Sequence, residues 1–178
     1  MKMIFAGFGG QGILSMGQFM AYSGMKEGKE VSFFPAYGPE MRGGTSNCSV
    51  VISETPVTSP ICSTPDILVA MNTPSLIKFE NKVKAGGFIF VNSSLIDVKV
   101  KRTDVKVYEI KANDLALAAG NVKAANMVMT GAVCSAARVV TTPSILSCIK
   151  DKFSHKAELI GLNEKAYKSG FDEVKNNK

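Results

Sequence analysis

An α/β fold is predicted for this chain of 178 residues: a three-layer, mostly parallel, Rossmann-like sheet with helices on both faces. Three observations carry the prediction. Short apolar or β-branched runs alternate with longer segments of helical period, the pattern of a parallel sheet with crossover helices. The first run, Met3–Ala6, enters the glycine turn Gly7-Phe8-Gly9-Gly10-Gln11-Gly12 and then a helix, as in α/β proteins that pack a helix directly on a strand. Hydrophobic residues at 46% and charged residues at 20% describe an ordinary globule, and the length suits a single domain over residues 1–178.

Each element has its own signal. Met3–Ala6 reads as a buried strand. Ile13–Glu27 reads as a helix with Leu14, Met16, Phe19, Met20 and Met25 as its apolar positions and Gly28 as its stop. Val31–Phe34 and Cys48–Ile52 are strands, separated by a Gly/Pro-rich loop at Tyr37–Thr45. Pro56, Pro60 and Pro65 make Thr55–Pro65 an irregular connection. Ile67–Met71 is a strand, and Asn72-Thr73-Pro74 opens a helix over Ser75–Val83. Gly86 and Gly87 turn the chain into the strand Phe88–Val91. Val105–Ile110 is a further strand, placed at an edge by its lysine. Asn113 or Asp114 caps a short helix through Ala119. Ala124–Val140 is a helix of small residues able to approach the sheet or another subunit closely, Thr142-Pro143 opens a helix through Phe153, and Ala157–Val174 is amphipathic.

Composition excludes several function classes. No apolar run approaches the roughly 20 residues of a membrane span, and Gly7, Gly9, Gly10 and Gln11 interrupt the first apolar stretch too early for a secretory leader. A cytoplasmic protein without a membrane partner is expected. Cys48, Cys62, Cys134 and Cys148 are scattered without close pairs, which argues against a metal or iron–sulfur site in this chain and for buried free thiols. The net charge is +6, yet Lys99, Lys101, Arg102, Lys106 and Lys111 alternate with Asp97, Asp104 and Glu109, so no nucleic-acid stripe forms and a solvated basic surface is expected.

The glycine turn does not complete a dinucleotide site. A nicotinamide site needs an acidic residue closing the second strand, where this chain has Phe34-Pro35-Ala36-Tyr37. No Gly-Lys-Ser/Thr follows the glycines, so a Walker loop is excluded as well. The backbone donors of the turn remain available to a phosphate-bearing ligand, and a free-standing nucleotide-binding module is the alternative reading. The second glycine-rich element, Tyr37-Gly38-Pro39-Glu40-Met41-Arg42-Gly43-Gly44-Thr45, leaves the carboxyl end of the second strand beside the first turn. Arg42 offers a permanent forked charge there, either paired with Glu40 or turned to a ligand or partner. Catalytic candidates are absent: His155 lies in a connection between helices, and no serine or cysteine has a nucleophile's setting.

These two elements, together with Pro65-Asp66-Ile67-Leu68-Val69-Ala70-Met71-Asn72 and Asn126-Met127-Val128-Met129-Thr130-Gly131-Ala132, resemble the gamma subunits of 2-oxoacid:ferredoxin oxidoreductases over nearly the whole chain to Phe153. The Tyr37–Asn47 form resembles the 2-oxoglutarate and 2-oxoisovalerate types. The resemblance implies a subunit that is inactive alone and binds no cofactor by itself. It implies alpha and beta partners, with a ferredoxin-like delta chain where present, that carry thiamine diphosphate, Mg2+ and iron–sulfur clusters, and ferredoxin as electron acceptor. It further implies that Gly9, Gly10, Gln11 and Gly12 lie near the coenzyme A phosphates. Tyr37, Glu40, Arg42, Gly43, Gly44 and Thr45 then face the cleft or the catalytic subunits.

Overall fold

The computed structural model describes residues 1–37 and 45–176; of Tyr37 only the backbone is described. In chain order the elements are β1 (Lys2–Phe8), α1 (Ile13–Lys26), β2 (Glu30–Tyr37), β3 (Thr45–Ser53), β4 (Ile67–Ala70), α2 (Thr73–Phe79), β5 (Phe88–Asn92), β6 (Lys106–Ile110), α3 (Ala112–Ala119), α4 (Ala125–Ala137), α5 (Thr142–Lys152) and α6 (Ala157–Asn176). Short 3-10 turns follow α2 at Glu80–Lys82 and precede α4 at Val122–Ala124.

The strands form one sheet of order β2-β3-β1-β4-β5-β6. β1, β4, β5 and β6 pair in parallel, while β3 is antiparallel to both β1 and β2. β2 therefore runs with the other strands, and β3 alone is reversed. The mostly parallel sheet predicted from the sequence is present, as is the edge position of the lysine-bearing β6.

Side-chain alternation sends each strand's residues to two cores. Met3 and Phe5, Val50 and Ile52, Ile67 and Val69, and Phe90 meet α1 and α3 to α6 on one face. Ile4 and Ala6, Leu68 and Ala70, and Ile89 and Val91 meet Leu76 and Phe79 of α2, with Cys62 and Ile96 from the connections, on the other. Helices lie on both faces, unequally. The second face thins toward β2, where Phe34 is 46% exposed.

Several local outcomes differ from the sequence reading. β1 continues through Gly7 and Phe8 because both pair with β3, opposite Ser46 and Thr45. β2 runs past Pro35 to Tyr37. It is an edge strand, where a missing N–H can face away from the sheet. Met25 is exposed on α1. α3 starts one turn-position earlier than Asn113. The N–H groups of its second and third residues, Asn113 and Asp114, donate to Ser94 Oγ from the preceding loop, and Asn113 Oδ1 accepts from Asn92 instead. The small-residue helix α4 packs within the chain. Gly131 faces the backbone of Tyr167, and Gly170 of α6 faces the backbone of Val128, so a Cβ at either glycine would collide with the opposite helix. The predicted helix ends at Ala137, with Arg138 in the left-handed conformation at φ 50.

Candidate functional site at the carboxyl end of the sheet

β1 and β4 are neighbours, but the chain leaves them on opposite faces, to α1 on one and α2 on the other. Such a divergence leaves a crevice outside the carboxyl ends of the two strands, where α/β proteins place their ligands. The glycine turn lies at this point. Gln11 N donates to Phe8 O at 3.2 Å, closing a tight turn over Gly9 and Gly10, which are exposed. Gly10 sits at φ 93 with open space around its Cα. Gly12 caps α1 at φ 74, and α1 thereby presents its positive dipole end to the crevice.

The glycines have unequal roles. A Cβ on Gly7 would lie 2.5 Å from Gln11 Oε1, 2.6 Å from Ile13 Cδ1 and 2.8 Å from Met71 Cβ, so Gly7 serves packing. A Cβ on Gly12 would lie 2.6 Å from Asn126 Nδ2. Gly9 and Gly10 remain as the positions open to an approaching ligand. Gln11 is half-buried and spends its carboxamide inside the protein: Oε1 accepts from Phe8 N at 2.6 Å and Nε2 donates to Met71 O at 3.1 Å. It ties the turn to the end of β4.

The register brings the second element to the same end. Thr45, exposed, opens β3 directly opposite Phe8, and Tyr37 closes β2 opposite Ser46. Glu40, Arg42, Gly43 and Gly44 lie outside the described residues. Their flanks nevertheless start and finish beside the glycine turn.

Three asparagines that sequence reasoning did not place in the site also reach this end of the sheet. Asn72 follows β4 and is 4% exposed. Its Oδ1 caps α2 by accepting from Ser75 N at 2.8 Å. Its Nδ2 is the one buried side-chain polar atom among the described residues with no hydrogen-bond partner, and a buried donor without a partner carries a free-energy cost. Asn126, in the first turn of α4, packs over Gly12. Asn92, at the end of β5, holds Asn113. An asparagine just past an apolar strand was the available signal, but on its own it reads only as a helix cap.

Metal chemistry finds no support in the donor set. Among the described residues no group of three or more His, Cys, Asp or Glu side chains converges. The four cysteines are buried and free. Burial pushes the Cys48 and Cys134 thiols up to about 12 and that of Cys62 to about 11, as expected of inert structural thiols. The described residues therefore do not fit an iron–sulfur cluster. His155 is exposed beyond α5. No helix among the described residues is long and apolar enough to cross a membrane.

Comparison with known proteins gives the geometry a context. Residues 2–173 match the family model described as pyruvate ferredoxin/flavodoxin oxidoreductase. The ketoisovalerate oxidoreductase subunit VorA of Methanothermobacter marburgensis is 40% identical over 173 residues, 97% of this chain but only 36% of that protein's length. The gamma subunit of a keto/oxoacid ferredoxin oxidoreductase from Geobacter sulfurreducens superposes with TM-score 0.85 at 27% identity, over 98% of both chains. The 2-oxoglutarate:ferredoxin oxidoreductase from Magnetococcus marinus, solved with 2-oxoglutarate, coenzyme A and succinyl-CoA bound, superposes with TM-score 0.89 at 25% identity, covering 99% of this chain and 31% of that one.

Proposed function

The chain belongs to the pyruvate ferredoxin/flavodoxin oxidoreductase family, and from that premise we propose that it is the gamma subunit of a 2-oxoacid:ferredoxin oxidoreductase and forms the coenzyme A side of the active-site cleft. The observation that carries the reading is the meeting of the glycine turn and both flanks of the Tyr37–Thr45 element at one end of the sheet, beside a buried amide donor that the chain itself leaves unpaired. That end offers hydrogen-bond donors and a helix N-terminus and no described acid–base group, which suits holding an anionic cosubstrate rather than transforming it.

In this reading the chemistry belongs to alpha and beta subunits, with a ferredoxin-like delta chain where one is present. Thiamine diphosphate with Mg2+, bound there, supplies the carbanion stabilisation for decarboxylation, and iron–sulfur clusters carry the electrons to ferredoxin. The residues of this chain bind and orient. Gly9 and Gly10 offer backbone to the coenzyme A phosphates, and Gln11 and Gly12 hold the turn in place beside them. Tyr37, Glu40, Arg42, Gly43, Gly44 and Thr45 face the cleft or the catalytic subunits. The relatives support substrates of the 2-oxoisovalerate or 2-oxoglutarate class, and the complex works in the cytoplasm.

Co-expression tests the proposal. A tagged chain produced with its alpha and beta partners should yield a brown complex that reduces ferredoxin only when coenzyme A and a 2-oxo acid are both present, while the chain alone is inactive. Arg42→Ala should raise the KM for coenzyme A about tenfold, the size of one lost charge-assisted hydrogen bond. Failure to recover such a complex, with tight binding of NAD or ATP to the isolated chain by calorimetry, would instead establish a free-standing nucleotide-binding module.

A further inference from the structure

The opposite end of the sheet carries a cavity of about 730 Å³ that the proposed cleft does not use. It opens at the amino ends of β1 and β4, where Lys2 begins one strand and Asp66 precedes the other. A cavity of this size falls within the range of small-molecule sites. Its character is cationic: Lys2, Lys82, Lys84 and Arg102 line it, and Asp66 is the only carboxylate among the lining residues. These cations come from three separate stretches of sequence, and only the fold gathers them.

Charge accounting narrows the ligand. Arg102 is spent on the protein: its guanidinium pairs with Asp104 and donates to the carbonyls of Val83 and Glu80. The Glu80 carboxylate in turn accepts from Lys101 N and Arg102 N, fixing that wall. Lys84 is shared with Asp66 at 3.8 Å, and Asp66 also accepts from Lys2 N at 2.8 Å. Lys2 and Lys82 form no ion pair among the described residues; Lys82 Nζ lies 5.3 Å from the centre of the Phe79 ring. Neither of these two ammonium groups is held by an ion pair, and the Glu80 carboxylate is bound by backbone N–H groups rather than by a lysine. Ser63, Thr64 and Asn81, which also line the cavity, carry neutral hydrogen-bonding groups.

We infer that this cavity is an oxyanion site for a phosphate group, held by the two lysines that form no ion pair, with Lys84 free to leave Asp66 and join them. Fixed cations around one mouth concentrate anions far more than the same charges dispersed over the surface. The site lies about 20 Å from the glycine turn, the length of β1 at about 3.3 Å per residue, and does not depend on the coenzyme A reading.

Titration of the full chain with inorganic phosphate and with pyrophosphate, at constant ionic strength and followed by calorimetry and melting temperature, tests the assignment. Pyrophosphate should bind at one site and raise the melting temperature. The triple variant Lys2→Gln, Lys82→Gln, Lys84→Gln should bind it about tenfold more weakly while melting as the wild type does without ligand. A control triple at the exposed Lys99, Lys123 and Lys165 should bind like the wild type. Equal binding by the Lys2/Lys82/Lys84 variant and the wild type, or a wild-type response no larger than that to sodium chloride at the same ionic strength, would overturn it.

Discussion

The two ends of the sheet, joined by the same strands, are made of opposite materials. At the carboxyl end the described residues are glycines, asparagines, a glutamine and a threonine, and what they offer is backbone and carboxamide held in one shape. At the amino end of β1 and β4 the shape is ordinary and the content is charge, four cations around one cavity. The difference predicts how each end responds to change. An end built from geometry loses stability when a methyl group is added. An end built from exposed charge loses ligand affinity and keeps its stability.

The largest expected effect breaks the geometry directly. Gly7→Val places side-chain atoms into Gln11, Ile13 and Met71 and should cost on the order of 3 kcal/mol, read as a lower denaturation midpoint. Gly12→Ala combines a clash with Asn126 and a positive φ and should cost about 2 kcal/mol. Gly10→Ala, at positive φ in open space, should cost about 1 kcal/mol. If Gly10→Ala proved as harmful as Gly12→Ala, the distinction between packing and ligand-facing glycines would fail.

A carboxylate on the amino-end side sharpens the contrast through pH. Glu27 follows α1 and ties it to the start of α5, accepting from Thr141 N at 2.6 Å and pairing with Lys29 at 3.0 Å. Burial pushes its carboxyl up, but the hydrogen bonds from Thr141, Lys29 and Ser144 outweigh burial and bring it down from 4.5 to about 2. A carboxyl lowered in the folded state stabilises above its ordinary value, and that contribution is lost as pH falls through the folded value. Glu27→Gln should therefore cost roughly 1–2 kcal/mol at pH 7, and the gap from the wild type should close between about pH 4.5 and pH 2. A gap independent of pH would mean that the carboxylate charge contributes nothing.

An effect as small as that of Gly10→Ala belongs to the link across the crevice. Gln11→Ala removes the acceptor of Phe8 N and the donor to Met71 O and should cost about 1 kcal/mol. Amide hydrogen exchange at Phe8 should quicken while the core amides of β4 stay protected. Unchanged exchange at Phe8 would show that the turn holds itself.

Legibility followed the range of the interaction. Elements were readable where the signal was local: the apolar period of α1, Gly28 at φ 72 closing it, Asn72 with Pro74 opening α2, and the lysine of the edge strand β6. Pro35 was misleading because its cost depends on whether β2 is an edge or a central strand. The capping of α3 was hidden because Ser94, about twenty residues away, supplies the oxygen. The docking of α4 on α6 needed the opposed Gly131 and Gly170, which lie on two helices with no shared local pattern.

By itself the sequence determined the α/β class, the glycine turn, the absence of a dinucleotide acid after the second strand, and the family resemblance. Each of these is carried by contiguous residues. Tertiary structure alone decided which glycines pack and which stay open, that Gln11 faces inward, that Asn72 keeps an unpaired donor, and that Lys2, Lys82, Lys84 and Arg102 surround one cavity. The physical reason is that these properties depend on distances between atoms from different segments. Local propensity sets the strands and turns, whereas strand order and the two-faced packing of the sheet set those distances.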